Sequence, residues 1–78
     1  MDSNAVELVR FLATSLVEYP DDVAVSSEEG DDGLVINITT HADDVGKIIG
    51  RNGRTIKSIR TLARAIVGQG GCQVEVDN

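Results

Sequence analysis

An α+β fold is what this sequence predicts: element order α-β-β-α-α-β, with a three-stranded sheet and three helices packed on one face of it. Three observations point there. Apolar residues recur at helical spacing through Val6, Val9, Leu12, Ala13, Leu16 and Val17, and again through Ile56, Ile59, Leu62, Ala63, Ile66 and Val67. Strict alternation marks strands at Leu34 to Thr40 and Cys72 to Asp77. A two-glycine loop, Gly50-Arg51-Asn52-Gly53, separates an apolar run that can end one helix from an amphipathic run that can begin another.

In chain order, Asn4 with Glu7 three residues later can cap a helix from about Ala5 to Glu18. It should stop at Tyr19, because the residue before Pro20 is pushed out of the helical region, and Pro20-Asp21-Asp22 reads as a turn. Val23 to Ser27 predicts a short strand, and Glu28-Glu29-Gly30-Asp31-Asp32-Gly33 an acidic connection suited to a hairpin. The acids there lack the alternating oxygen ligands and terminal Glu of an EF-hand, so the reading is a solvated turn. Leu34, Ile36 and Ile38 line one face of the next strand, and Val35, Asn37 and Thr39 the other. Thr40 with Asp43 forms a capping box for a helix of about two turns ending at Ile49, with Asp43 and Asp44 near its positive end and His41 a surface residue at its start.

From Arg54 to Val67 the apolar set falls on one arc that must face the core, with Leu62 at its margin. Arg54, Lys57, Arg60, Thr61 and Arg64 fall on the opposite arc. Gly68-Gln69-Gly70-Gly71 ends this helix, and Cys72, Val74 and Val76 form the buried face of the last strand. The free sheet face is then left to Asn37, Thr39, Gln73 and Glu75.

Seventy-eight residues make one domain, 1–78, with a small core. The single cysteine, Cys72, excludes an internal disulfide, suits a reducing cytoplasm and reads as a small buried apolar residue. No apolar stretch is long enough for a signal peptide or a membrane span, so the chain reads as soluble and cytoplasmic, with no membrane partner.

The charge pattern points to a partner. Seven Lys and Arg against 13 Asp and Glu give a net charge of −6, which taken alone argues against nucleic acid. The average misleads. Lys47, Arg51, Arg54, Lys57, Arg60 and Arg64 follow one another with no acid among them, a segment of +6, while the remainder sets Arg10 alone against all 13 acids. A block of one sign this pure predicts an anion-facing patch. The two-glycine loop adds outward amide groups and the positive end of a helix dipole, which together suit a phosphate. Phe11 and Tyr19, the only aromatics, lie far from that patch in sequence and offer no stacking platform to it.

The stretch Ile49-Gly50-Arg51-Asn52-Gly53-Arg54-Thr55-Ile56 resembles the I-G-x-x-G-x-x-I signature of KH domains, and the element order is that of the bacterial, type II, KH fold. The length, the opening helix, the Tyr19-Pro20-Asp21 turn and Val45-Gly46-Lys47-Ile48-Ile49-Gly50-Arg51 resemble the small stand-alone bacterial KH proteins of the KhpA type. That resemblance implies a cytoplasmic RNA-binding protein that acts in post-transcriptional regulation or as an RNA chaperone. It also implies pairing, as a homodimer or as a heterodimer with a larger KH-containing protein. The family's phosphate clamp falls on Gly50, Arg51, Asn52 and Gly53. Its apolar groove for single-stranded RNA is bordered by Ile48 or Ile49 and by Ile56, and Lys47, Arg54, Lys57 and Arg60 hold the backbone nearby. The acidic remainder departs from a typical binder and implies short contact, modest affinity and little sequence preference.

The loop lacks the spacing of a P-loop or of a dinucleotide fingerprint, so no small-molecule substrate or cofactor is predicted. One His and one Cys give no nucleophile set and no metal site, which ranks an enzyme far below a binding module. A second reading is an adaptor that dimerises, with Leu62 as the self-association contact and RNA supplied with its contacts by the partner.

Overall fold

Leu34, Ile36 and Ile38 are buried on one face of Gly33–Thr39 (β2), which is the middle strand of a three-stranded sheet. Ala24–Gly30 (β1) pairs with it antiparallel and Cys72–Asp77 (β3) pairs with it parallel. The computed structural model describes residues 2–77, and its helices are Asp2–Leu16 (α1), Val45–Ile49 (α2) and Arg54–Val67 (α3). The order α1-β1-β2-α2-α3-β3 is the one the sequence predicts. Ala5, Val9 and Ala13 of α1, Ile48 of α2, and Ile59 and Ala63 of α3 bury themselves with Cys72 and Val74 against the apolar face of β2. Three alanines in that set let the helices lie close to the sheet.

Several boundaries differ from the sequence reading, each for a physical reason. Asn4 lies inside α1, which starts at Asp2, so the first helix is not capped where Asn4-Glu7 suggested. At its other end α1 stops at Leu16, not Glu18, because the N–H groups of Glu18 and Tyr19 turn to the carboxylate of Asp44. Leu16, the last residue of α1, is consequently 42% exposed although it shares the apolar period. β1 runs on to Gly30, and only Asp31 and Asp32 are left as the turn between paired Gly30 and Gly33. Gly33 has φ +116, and a Cβ there would land on the carbonyls of Gly70 and Gly71, so the hairpin end of the sheet packs on the loop after α3.

His41 caps the 3-10 turn Ala42–Asp44 that leads into α2, its Nδ1 accepting the Asp43 N–H at 3.0 Å, and the Thr40 hydroxyl donates instead to the His41 carbonyl. α3 matches the predicted span, yet Ile66 is 42% exposed, and Ile56 and Val67 only pack partly against the core. The domain is too thin to cover the whole apolar arc of its third helix.

Candidate nucleic-acid interface

The loop between α2 and α3 owes its shape to three residues with positive φ: Gly50 at 78°, Asn52 at 58° and Gly53 at 74°. Asparagine is among the few side-chain-bearing residues that enter this region readily, which accounts for Asn52. The N–H of Gly53 donates to the Gly50 carbonyl at 3.1 Å and closes the turn. The two glycines serve different needs. A Cβ on Gly50 would fall on the Thr55 side chain and 2.8 Å from the Thr55 amide nitrogen, so this position needs both the conformation and the space. Nothing lies within 4 Å of a Cβ built on Gly53, so that position needs the conformation alone and its outer surface is open. No side chain caps α3, so the positive end of its dipole faces the loop.

The six cations of the basic segment divide into three kinds. Arg51, Arg54 and Lys57 are exposed and have no hydrogen-bond or ion-pair partner among the described residues. Lys47 points back into the fold: its Nζ lies 3.2 Å from Asp44 Oδ1 and 3.3 Å from Glu18 Oε2. Asp44 is wholly buried and also accepts the N–H groups of Glu18 at 3.1 Å and Tyr19 at 3.0 Å. Burial alone would push the Asp44 carboxyl up, but the two backbone donors and Lys47 outweigh it and hold the group below the ordinary carboxylate range. The hydrogen bond to Asp44, opposed by desolvation and helped by Glu18, raises Lys47 in turn. Arg60 and Arg64 form the third kind. They lean over the outer edge of β3, Arg60 Nη2 donating to the Val74 carbonyl at 3.2 Å and Arg64 Nε to the Cys72 carbonyl at 3.0 Å.

Of the two isoleucines before the loop, Ile48 is buried in the core and Ile49 stays partly exposed, so only Ile49 can border a groove together with Ile56. Leu62 is 47% exposed and lines a shallow surface depression with Lys57, Ser58 and Thr61. Tyr19 stacks on His41, ring centroids 4.3 Å apart. The acidic hairpin of β1 and β2 packs against Gly70 and Gly71, beyond the far end of α3 from the loop. Fourteen helical residues, about 21 Å, separate the two ends. Sequence reasoning missed Asp44 as a structural anchor because its backbone partners lie 25 and 26 residues away. The one local signal was Lys47 three residues on.

A sheet of three strands with α2, a two-glycine turn and α3 inserted between β2 and a parallel β3 is the type II KH fold. The family model for the KH domain of KhpA/KhpB matches residues 6–77, and the chain belongs to that family. RNA-binding protein KhpA of Oceanobacillus iheyensis is 39% identical over 70 residues, which cover 90% of this chain and 93% of that protein. A crystal structure of Era from Aquifex aeolicus matches 95% of this chain with a TM-score of 0.60 and 28% identity, over 31% of the Era chain. A second, Era in complex with MgGDPNP and nucleotides 1506–1542 of 16S ribosomal RNA, matches 94% of this chain with a TM-score of 0.55 and 30% identity, over 30% of that chain. No helix among the described residues is long and apolar enough to cross a membrane.

Proposed function

We propose that this chain binds single-stranded RNA at the Gly50–Gly53 loop, with a phosphate held at the open face of Gly53 and the start of α3. Arg51, Arg54 and Lys57 attract the adjoining phosphates, and Ile49 and Ile56 give the bases an apolar floor. About four nucleotides fit such a clamp. The observation that carries the reading is the coincidence, at one end of α3, of an uncapped helix start, an open left-handed glycine and three cations without an internal partner. The relatives' name and the Era complex with ribosomal RNA support the same ligand class. The acids of the hairpin lie at the opposite end, so a strand of this length at the loop stays clear of them. Lys47 acts here as a brace between α1 and α2, and Arg60 lies one step beyond the floor. Post-transcriptional regulation or RNA chaperoning in the cytoplasm is the role that such a clamp would serve.

Binding of a labelled single-stranded RNA of mixed sequence, compared between the wild type and an Arg51→Asp, Asn52→Asp double variant of equal thermal stability, tests this. The wild type should bind with a logarithmic salt slope of roughly −2 to −3, as three or four neutralised phosphates require. The double variant should not bind. Salt-independent binding, or equal binding by both, would overturn the reading.

A second reading is favoured by one observation, the exposure of Leu62 and Ile66 on α3. Covering them with a second copy of the chain, or with a larger KH-containing partner as the joint family KhpA/KhpB suggests, would make the RNA site part of a dimer. Light scattering across a concentration series reads this directly, and a strict monomer at high concentration would remove the homodimer.

A further inference from the structure

Asn52 and Gly53 make an Asn-Gly pair. Asparagine is a chemically labile residue, and it is most labile before glycine, which has no Cβ to shield its backbone nitrogen. The reaction needs only water. The Gly53 nitrogen attacks the side-chain carbonyl carbon of Asn52, the side-chain amino group leaves with the Gly53 amide proton as ammonia, and a cyclic imide closes. Water then opens the imide at one or the other of its carbonyls, leaving aspartate or isoaspartate.

The fold treats its asparagines unequally. At Asn37 the attacking nitrogen would be that of Ile38, which is β-branched, wholly buried and set in the middle strand. At Asn4 it would be that of Ala5, wholly buried inside α1. Asn52 is exposed, its side chain has no hydrogen-bond partner among the described residues, and nothing lies within 4 Å of a Cβ built on Gly53. One restraint remains. With ψ of Asn52 at 23° the Gly53 nitrogen is turned away from the Asn52 side chain, and its N–H is held by the Gly50 carbonyl at 3.1 Å. Ring closure therefore requires the turn to open and ψ of Asn52 to rotate.

From this we infer that Asn52 is a deamidation site, held in check by closure of the Gly50–Gly53 turn, and that its reaction removes the RNA site irreversibly. The consequence for RNA rests on the reading above. Aspartate, like asparagine, tolerates the left-handed region, so that product keeps the turn and sets a carboxylate where a phosphate is to be held. Isoaspartate lengthens the main chain by the former Cβ, and the Gly53 N–H can no longer meet the Gly50 carbonyl in the same turn. Bound RNA holds the turn closed and so protects its own site.

The test incubates the wild type in mildly alkaline buffer, folded alone, folded with a ten-nucleotide single-stranded RNA, and in denaturant, and follows each asparagine by peptide mass spectrometry. In the folded protein Asn52 should convert while Asn4 and Asn37 stay intact, about fivefold more slowly than in denaturant where one turn hydrogen bond is the restraint. RNA at ten times its dissociation constant should slow the conversion by about a further tenfold. Deamidated protein separated by ion exchange, and the Asn52→Asp variant, should bind that RNA at least about tenfold more weakly, while the variant keeps the wild-type unfolding midpoint. Asn37 converting as fast as Asn52 in the folded protein, or Asn52 staying intact there while it converts in denaturant, would overturn the site. Equal rates for Asn52 with and without denaturant would overturn the restraint by the turn. Undiminished RNA affinity after conversion would overturn the consequence. No binding by the unconverted wild type would instead overturn the RNA reading, and the mass spectra would still decide the site.

Discussion

The junction of α1 with α2 and the loop between α2 and α3 lie on either side of a five-residue helix, and both are rich in charge. At the junction Lys47, Asp44 and Glu18 satisfy one another, and two backbone amides complete the carboxylate. At the loop Arg51, Arg54 and Lys57 face outward with no acid beside them. Lys47 and Lys57 are alike in a charge count, yet one is a brace and the other is available to a ligand. Basic residues mark an anion site only where the fold leaves them without an internal partner.

The comparison can be broken or sharpened by substitution. The largest expected effect lies beneath the loop, where Ile59 is 2% exposed: Ile59→Ala should lose about 2 to 5 kcal/mol in denaturant unfolding. Ile56→Ala, at a partly exposed position, should lose no more than about 2 kcal/mol. Equal losses would mean that Ile56 is core and not groove floor.

Next is the junction. Asp44→Ala leaves the N–H groups of Glu18 and Tyr19 without their acceptor and should lower the thermal midpoint by roughly 10 °C or more. The same residue sets a pH dependence. Its folded pKa lies below the unfolded value, so its contribution is complete above the ordinary carboxylate value of about 4 and fades as pH falls through the folded value. The wild type should therefore lose stability on acidification below about pH 4, and Asp44→Asn should show a shallower loss over the same window. An unchanged profile would contradict the assignment.

Smaller effects are expected at the two glycines. Gly50→Ala meets both positive φ and the Thr55 side chain, whereas Gly53→Ala meets positive φ alone and should lose only about 1 kcal/mol. Chemical denaturation should rank Gly50→Ala as clearly the worse.

The smallest effect is on affinity. Lys57→Ala should weaken RNA binding several-fold and reduce the salt slope by about one, while Lys47→Ala should act mainly on stability. The reverse ranking in a salt-dependent binding series would dissolve the distinction between brace and patch.

Much of this architecture was legible in the sequence. Periodicity placed α3 at about Arg54 to Val67, where it lies, and separated the two faces of β2 and β3, and the glycine spacing marked the turn that holds the candidate site. What stayed illegible depends on contacts between distant segments. The early stop of α1 follows from Asp44, and the ties of Arg60 and Arg64 follow from the register of β3 against α3. The His41 cap was hidden for another reason: an imidazole nitrogen performed a task that the neighbouring threonine hydroxyl was predicted to perform. Nor does periodicity say how much of an apolar arc a small sheet can cover, as Ile66 illustrates.

The most direct test of the central claim is a backbone amide NMR titration with a ten-nucleotide single-stranded RNA. Shift changes concentrated on Gly50 to Lys57, with the hairpin from Glu28 to Gly33 unmoved, are the predicted result. Changes centred on the hairpin or the open sheet face, or a loop that does not respond to saturating RNA, would contradict it.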